Sequence, residues 1–135
     1  MILVDTNVLI DVLEDDPQWA EWSVAQLRAQ SKIHELAINA IVYAELSLAF
    51  ERLEELDDVV MRLGLNLLEI PRPALFLAGR AFLTYRKAGG TRSNVLPDFF
   101  IGAHAAVAGV AILTRDARRY ANYFPAVKLL LPLTA

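Results

Sequence analysis

The sequence has no cysteine and two histidines. That excludes a disulfide framework, a thiolate zinc site and a thiol nucleophile, and it fits a reducing compartment, so a cytoplasmic location is the expectation. No basic leader precedes Asp5, which makes the N-terminus a poor secretory signal. The longest nearly uncharged apolar stretch, from Ile101 to Leu113, contains His104 and two glycines and is too short to span a bilayer. No membrane partner is therefore expected. There is no surplus of positive charge either: 13 basic residues face 16 acidic ones, for a net charge of −3. The overall field repels a polyanion, so a nucleic-acid partner requires a local basic patch or bound cations. Repeats, linkers and low-complexity segments are also missing. At 135 residues the chain fits a single domain, 1–135, large enough to bury a core without disulfides.

What the chain does have is short apolar runs alternating with helical patterns. Strands are predicted at Met1 to Val4, Leu36 to Ile38, Leu67 to Ile70, Val110 to Thr114 and Val127 to Leu131. Helices are predicted at Thr6 to Leu13, Gln18 to Ala29, Ile41 to Leu56, Pro73 to Lys87 and Asp98 to Ala108, with "AGGTRSNVLP" a loop. Such alternation implies an α/β fold with a central parallel sheet of about five strands flanked by helices. In such folds sites form at the carboxyl ends of the strands.

Acidic residues fall at those ends. "MILVDTNVLID" runs an apolar strand directly into Asp5, and Asp116 follows the strand "VAILT" by two residues. Glu45 is the only formal charge between Leu36 and Phe50 and shares a helical stripe with Ile41, Ala44 and Leu48, which turns it toward the sheet. Asp98 opens the helix "DFFIGAHAAVAG", whose small residues permit close approach to the sheet. Asp5, Asp98 and Asp116 alone are each equally well read as a helix cap or an ion-pair partner, whereas Glu45 on its apolar stripe is less easily dismissed. Four anions at one sheet edge, however, need raised pKa values or a divalent cation. A site of hard oxygen donors suits Mg²⁺ or Mn²⁺, which assists phosphodiester hydrolysis without a side-chain nucleophile. Thr6 and Asn7, which start the helix after Asp5, are placed to orient this shell by hydrogen bonds. Arg86, Lys87 and Arg92 flank the glycine pair, and Arg115, Arg118 and Arg119 surround Asp116; all are phosphate-binding candidates or ordinary surface charges. His104 reads as a packed histidine and His34 as a loop residue.

In their order, "LVDTNVLID", "YAEL", "LPDFFIGAHA" and "ILTRDARRYANYFP" resemble the PIN-domain ribonucleases, especially the VapC-type toxins of toxin–antitoxin pairs, over nearly the whole chain. The resemblance implies a PIN-like three-layer sandwich. It also implies that Asp5, Glu45, Asp98 and Asp116 form a catalytic metal site, supported by Asn7 and Thr114. It further implies Mg²⁺- or Mn²⁺-dependent endonucleolytic cleavage of RNA, inhibition by a cognate antitoxin protein, and a homodimer. Asn39 stands where relatives often carry Ser or Thr before the Glu-bearing helix, and it still supplies a cap. Two other readings are a non-catalytic PIN-fold binding module, which predicts missing acids, and a Mg²⁺-binding receiver-like signalling domain. The latter predicts an aspartate after the middle strand that "LLEIPRP" does not offer.

Overall fold

The computed structural model describes residues 1–92 and 94–133, so Ser93 in the expected "AGGTRSNVLP" loop lies outside the described residues. The elements in chain order are β1 (Ile2–Val4), α1 (Thr6–Leu13), α2 (Ala20–Ser31), β2 (Leu36–Asn39), α3 (Ala40–Leu46), α4 (Leu53–Arg62), β3 (Leu65–Leu68), α5 (Arg72–Lys87), α6 (Leu96–Ala108), β4 (Ala111–Leu113), α7 (Arg118–Tyr123) and β5 (Leu129–Leu130). All five strands pair in parallel in the order β3-β2-β1-β4-β5. This is the expected α/β sandwich. The order differs from the 2-1-3-4-5 arrangement of receiver-type sheets, which sets the signalling reading aside.

The strand order fixes where a site can form. From β1 the chain moves to β2 and β3 on one side, then returns past β1 to β4 and β5 on the other. Right-handed crossovers therefore send the helices of the two halves to opposite faces. A crevice opens between them at the carboxyl ends of β1 and β4, the topological switch point. Val4 pairs with Leu113 there, and the Asp5 N–H continues the ladder to the Leu113 carbonyl at 2.9 Å. The strands are buried because both faces are covered: Ile2, Leu3, Val4, Ile112 and Leu113 all belong to the core.

One expected element is corrected. The helix predicted from Ile41 to Leu56 ends at Leu46, passes through a 3-10 turn at Ser47–Ala49, and restarts at Leu53. The core-facing residues of α3 are Val42 and Leu46, while Leu48, placed on the buried stripe by its spacing, is 89% exposed. Glu45 thus sits at the border of the buried face, its carboxylate turned along the sheet edge toward α1. The short helix α7 is not among the predicted elements, and the remaining departures are shifts of one or two residues at element ends, where hydrogen-bonded turns shade into helix or strand.

Close packing of α6 depends on one glycine. A Cβ built on Gly102 would overlap the ring of Phe124, itself buried against the core. Gly102→Ala gains helix propensity but forces that ring to move, and overpacking costs more than the propensity returns. A net loss of about 1 kcal/mol is expected, seen as a Tm lower by about 4 °C. An unchanged melting temperature would show that the aromatic cluster yields without cost.

Candidate metal centre

Asp5 is the hub. It leaves β1 as the N-cap of α1, with Oδ1 accepting from the Thr6 N–H at 2.8 Å. Its Oδ2 accepts from the Thr114 hydroxyl at 2.8 Å, the Tyr120 hydroxyl at 2.8 Å and the Asn7 amide at 3.4 Å. Thr114 follows β4, so the two central strands are joined at the switch point by side chains as well as backbone. The Asn7 amide also donates to Thr114 Oγ1 at 3.1 Å, and Asn7 Oδ1 accepts from the Arg115 N–H at 3.3 Å. Thr114 Oγ1 in turn accepts from the Asp116 N–H at 3.1 Å. Asp5 is 5% exposed, and burial raises its carboxyl above the usual range despite the donors that oppose the shift.

Glu45 joins from α3, where Thr6 Oγ1 donates to its Oε1 at 2.7 Å. Burial raises its pKa as well, with the Asp5 charge adding to the effect. Asp98 sits in the first turn of α6, favoured there by the helix dipole. Its pKa is pushed up to about 6, first by burial and then by the Asp5 charge, with Glu45 and Asp116 adding and Arg119 opposing. Asp116 behaves differently. Arg118 grips it through Nε to Oδ1 at 3.1 Å and Nη2 to Oδ2 at 2.8 Å, and this contact lowers its pKa.

The four acids therefore share one field, but among the described residues no three Asp, Glu or His side chains stand close enough to enclose an ion alone. The convergence is looser than the sequence suggests, for a simple reason. Asp116 is turned onto Arg118, and Asp98 has Arg119 Nη1 3.5 Å from its Oδ2. Each guanidinium supplies part of the positive charge the cluster lacks. The donor set still fits a hard divalent cation: the oxygens are carboxylates, and Asp5 and Glu45 are held by hydroxyl donors. Three of the four acids are raised in pKa, first by burial and then by the charge of neighbouring carboxylates.

Arg115, a phosphate candidate by its place beside Asp116, also serves as a structural strut. Its Nε and Nη2 donate to Asp11 at 2.7 and 3.1 Å, and its guanidinium lies 5.4 Å from the centre of a Trp19 ring. Buried Asp11 also accepts from the Ser23 hydroxyl at 3.2 Å. The Arg86 guanidinium covers the Phe82 ring, Lys87 ends α5 in solvent, and the Arg92 N–H donates to the Tyr85 hydroxyl at 3.1 Å. Among the described residues none of these three side chains pairs with the four acids, whereas Arg118 and Arg119 do.

Asp11 and Tyr120 are the residues that sequence reasoning missed. Asp11 merges into the acidic patch that follows it, and Tyr120 reads as a core aromatic; no local signal reveals that its hydroxyl reaches Asp5. His104 is the packed histidine expected, its Nδ1 3.1 Å from the amide nitrogen of Asn39. Asn39 Oδ1 caps α3 by accepting from the Ile41 and Val42 N–H groups at 3.0 and 3.1 Å.

The profile of the PIN domain matches residues 2–124. No curated protein matches the sequence. Among solved structures the chain is similar to VapBC2 from Rickettsia felis bound to a DNA fragment from their promoter, at 20% identity and a TM-score of 0.74, covering 98% of this chain and 99% of that one. It is also similar to FitAcB from Neisseria gonorrhoeae, at 23% identity and TM-score 0.67 over 96% of each chain. A third is VapBC-1 from nontypeable Haemophilus influenzae, at 21% identity and TM-score 0.68 over 96% of this chain and 97% of that one. At these identities the likeness is one of fold.

Proposed function

Because the chain belongs to the PIN domain family, we propose that it is a metal-dependent endoribonuclease acting as the toxin of a type II toxin–antitoxin pair. The observation that carries this reading is the placement of Asp5 and Glu45 at the switch point, where Thr6 hydrogen-bonds to both and their charges add to burial in pushing Asp98 up to about 6. A protein holds uncompensated acids together where a cation completes them. Asp5, Glu45, Asp98 and Asp116 would hold Mg²⁺ or Mn²⁺, and the bound ion would supply charge neutralisation and an acidified water for phosphodiester hydrolysis.

The chain's own residues do the positioning. Thr114, Tyr120 and Asn7 occupy Asp5 Oδ2, which leaves Oδ1 with a single N–H donor and free to face an ion. Thr6 fixes the second acid from the same helix start, so α1 orients two of the four at once. Arg118 and Arg119 shield the other two and are positioned to exchange their carboxylate contacts for substrate phosphate oxygens. The proposed partners are RNA as substrate and a cognate antitoxin protein that covers the acids, with a homodimer working in the cytoplasm. No helix among the described residues is long and apolar enough to cross a membrane. The binding-module alternative predicts missing acids, and all four are present.

The deciding experiment is incubation of total RNA with the purified chain and Mn²⁺ or Mg²⁺, against an EDTA control. Cleavage that appears with the ion and stops with the chelator is the expected result. A folded, Mn²⁺-binding, partner-free preparation that leaves every RNA intact would overturn the reading in favour of the binding module.

A further inference from the structure

Beside the acids lies a small cavity of about 190 Å³ lined by Tyr85, Arg118, Arg119, Asn122 and Tyr123. Its two arginines are the ones that touch Asp116 and Asp98, so the cavity and the candidate metal centre share a wall. The Tyr85 and Tyr123 rings stand 6.3 Å apart at 75°, and Phe99 backs Tyr123 at 5.1 Å, which gives the cavity a rigid aromatic side. The Arg92 N–H further fixes the Tyr85 hydroxyl at 3.1 Å.

We propose that this cavity is a nucleobase subsite, which takes one unstacked base of a single-stranded RNA against the tyrosine pair while Arg118 and Arg119 hold the adjoining phosphate. The inference rests on the ribonuclease reading above for its substrate class. Aromatic faces next to guanidinium groups are the combination by which single strands are held, since every base offers a π-face and every nucleotide a phosphate. The size agrees: ligand pockets for larger molecules run about 300–1,000 Å³, so this one suits a base rather than a whole nucleotide. Arg118 spends Nε and Nη2 on Asp116 and Arg119 spends Nη1 on Asp98, which leaves further N–H donors on both guanidinium groups. An acidic peptide shares the charge requirement but has no use for the tyrosine faces.

The test is binding of a short, fluorescently labelled 2′-O-methyl single-stranded oligonucleotide, which resists cleavage, by anisotropy in EDTA. Tyr123→Ala is expected to weaken Kd about tenfold, while Tyr123→Phe, which keeps the ring, stays within about twofold. Arg118→Gln is expected to reduce the slope of log Kd against log salt by about 0.7, the value for one phosphate contact on a single strand. Arg118 is on the surface, so this arm decides the matter if Tyr123→Ala fails to fold. The subsite is overturned if the wild type does not bind the oligonucleotide. It is also overturned if Tyr123→Ala and Arg118→Gln bind it as the wild type does, or if a glutamate-rich peptide binds with the same Tyr123 dependence. Metal-dependent RNA cleavage by the wild type alongside unchanged binding by the variants removes the subsite alone. Tyrosine-dependent binding without any cleavage removes the hydrolytic reading and leaves the subsite standing.

Discussion

Asp98→Asn is expected to give a folded protein that binds Mn²⁺ weakly and cleaves RNA roughly a hundred- to a thousandfold more slowly, the usual loss when one preorganised charge at a reacting centre is removed. The same residue sets the pH dependence. Its pKa of about 6 means that a proton competes with the cation below that pH, so ion affinity should climb between pH 5 and pH 7 in the wild type. The variant should lose most of that climb. Stability moves the other way. A carboxyl whose folded pKa lies above its ordinary 3.8 binds its proton more tightly in the folded state, so stability falls as pH rises from about 4 through about 6. A shift of that size corresponds to about 3 kcal/mol in full. With the Asp98 side chain 37% exposed, solvent screening cuts this to about 1 kcal/mol. In EDTA at pH 7.5 the amide variant should therefore melt about 4 °C above the wild type, with the gap closing toward pH 4. Isothermal titration with Mn²⁺ and thermal melts at both pH values check the two halves. An inactive variant that still binds Mn²⁺ like the wild type would remove Asp98 from the metal centre.

Arg115→Ala is expected to cost about 3 kcal/mol of folding stability. The reason is the partner it leaves behind: Asp11 has a side chain 2% exposed, and breaking a buried ion pair strands an uncompensated charge. Ser23 offers one hydroxyl to that carboxylate and cannot replace two guanidinium donors. For a chain of this size the loss corresponds to a Tm lower by about 10 °C. Arg115→Lys should recover only part of it, because an ammonium cannot present the same fork or lie flat on Trp19. Urea unfolding of the two variants measures the difference, and a loss below about 0.5 kcal/mol would class the pair with ordinary surface contacts. The Arg115 N–H also holds Asn7 Oδ1, so this strut sits one residue from both Thr114 and Asp116.

Much of the architecture was legible because its signals are local. The strands are short apolar runs bounded by helical periodicity, and the acids at their ends stand out because they interrupt those runs. The break between α3 and α4 was hidden because "ELSLAFERLEEL" carries no glycine or proline, and Leu48 and Leu53 prolong an apparently helical pattern. Tertiary burial of Leu46 and Leu56 decides the geometry there, and the leucines between them face solvent. The structural role of Arg115 was hidden for a related reason. A basic residue beside an acidic site reads as a ligand contact, and only the fold shows that Asp11, 104 residues away in sequence, has already claimed it. Tyr120 lay beyond reach likewise, since its hydroxyl meets Asp5 across a separation of 115 residues.

That separation bears on biosynthesis. β1 lies at the centre of the sheet, yet β4, its neighbour on one side, begins only at Ala111, far later in the chain. At ribosomal speeds of about 5–20 residues per second, the N-terminal strand waits roughly ten seconds for its partner. Throughout that interval Asp5 lacks Thr114, Asp116 and Tyr120, all of which follow Ala111 in the chain. A chain cut short before Ala111 is thus expected to be inert in the proposed reaction, with competence arriving as a late, all-or-none event once the segment from β4 through α7 has emerged and docked.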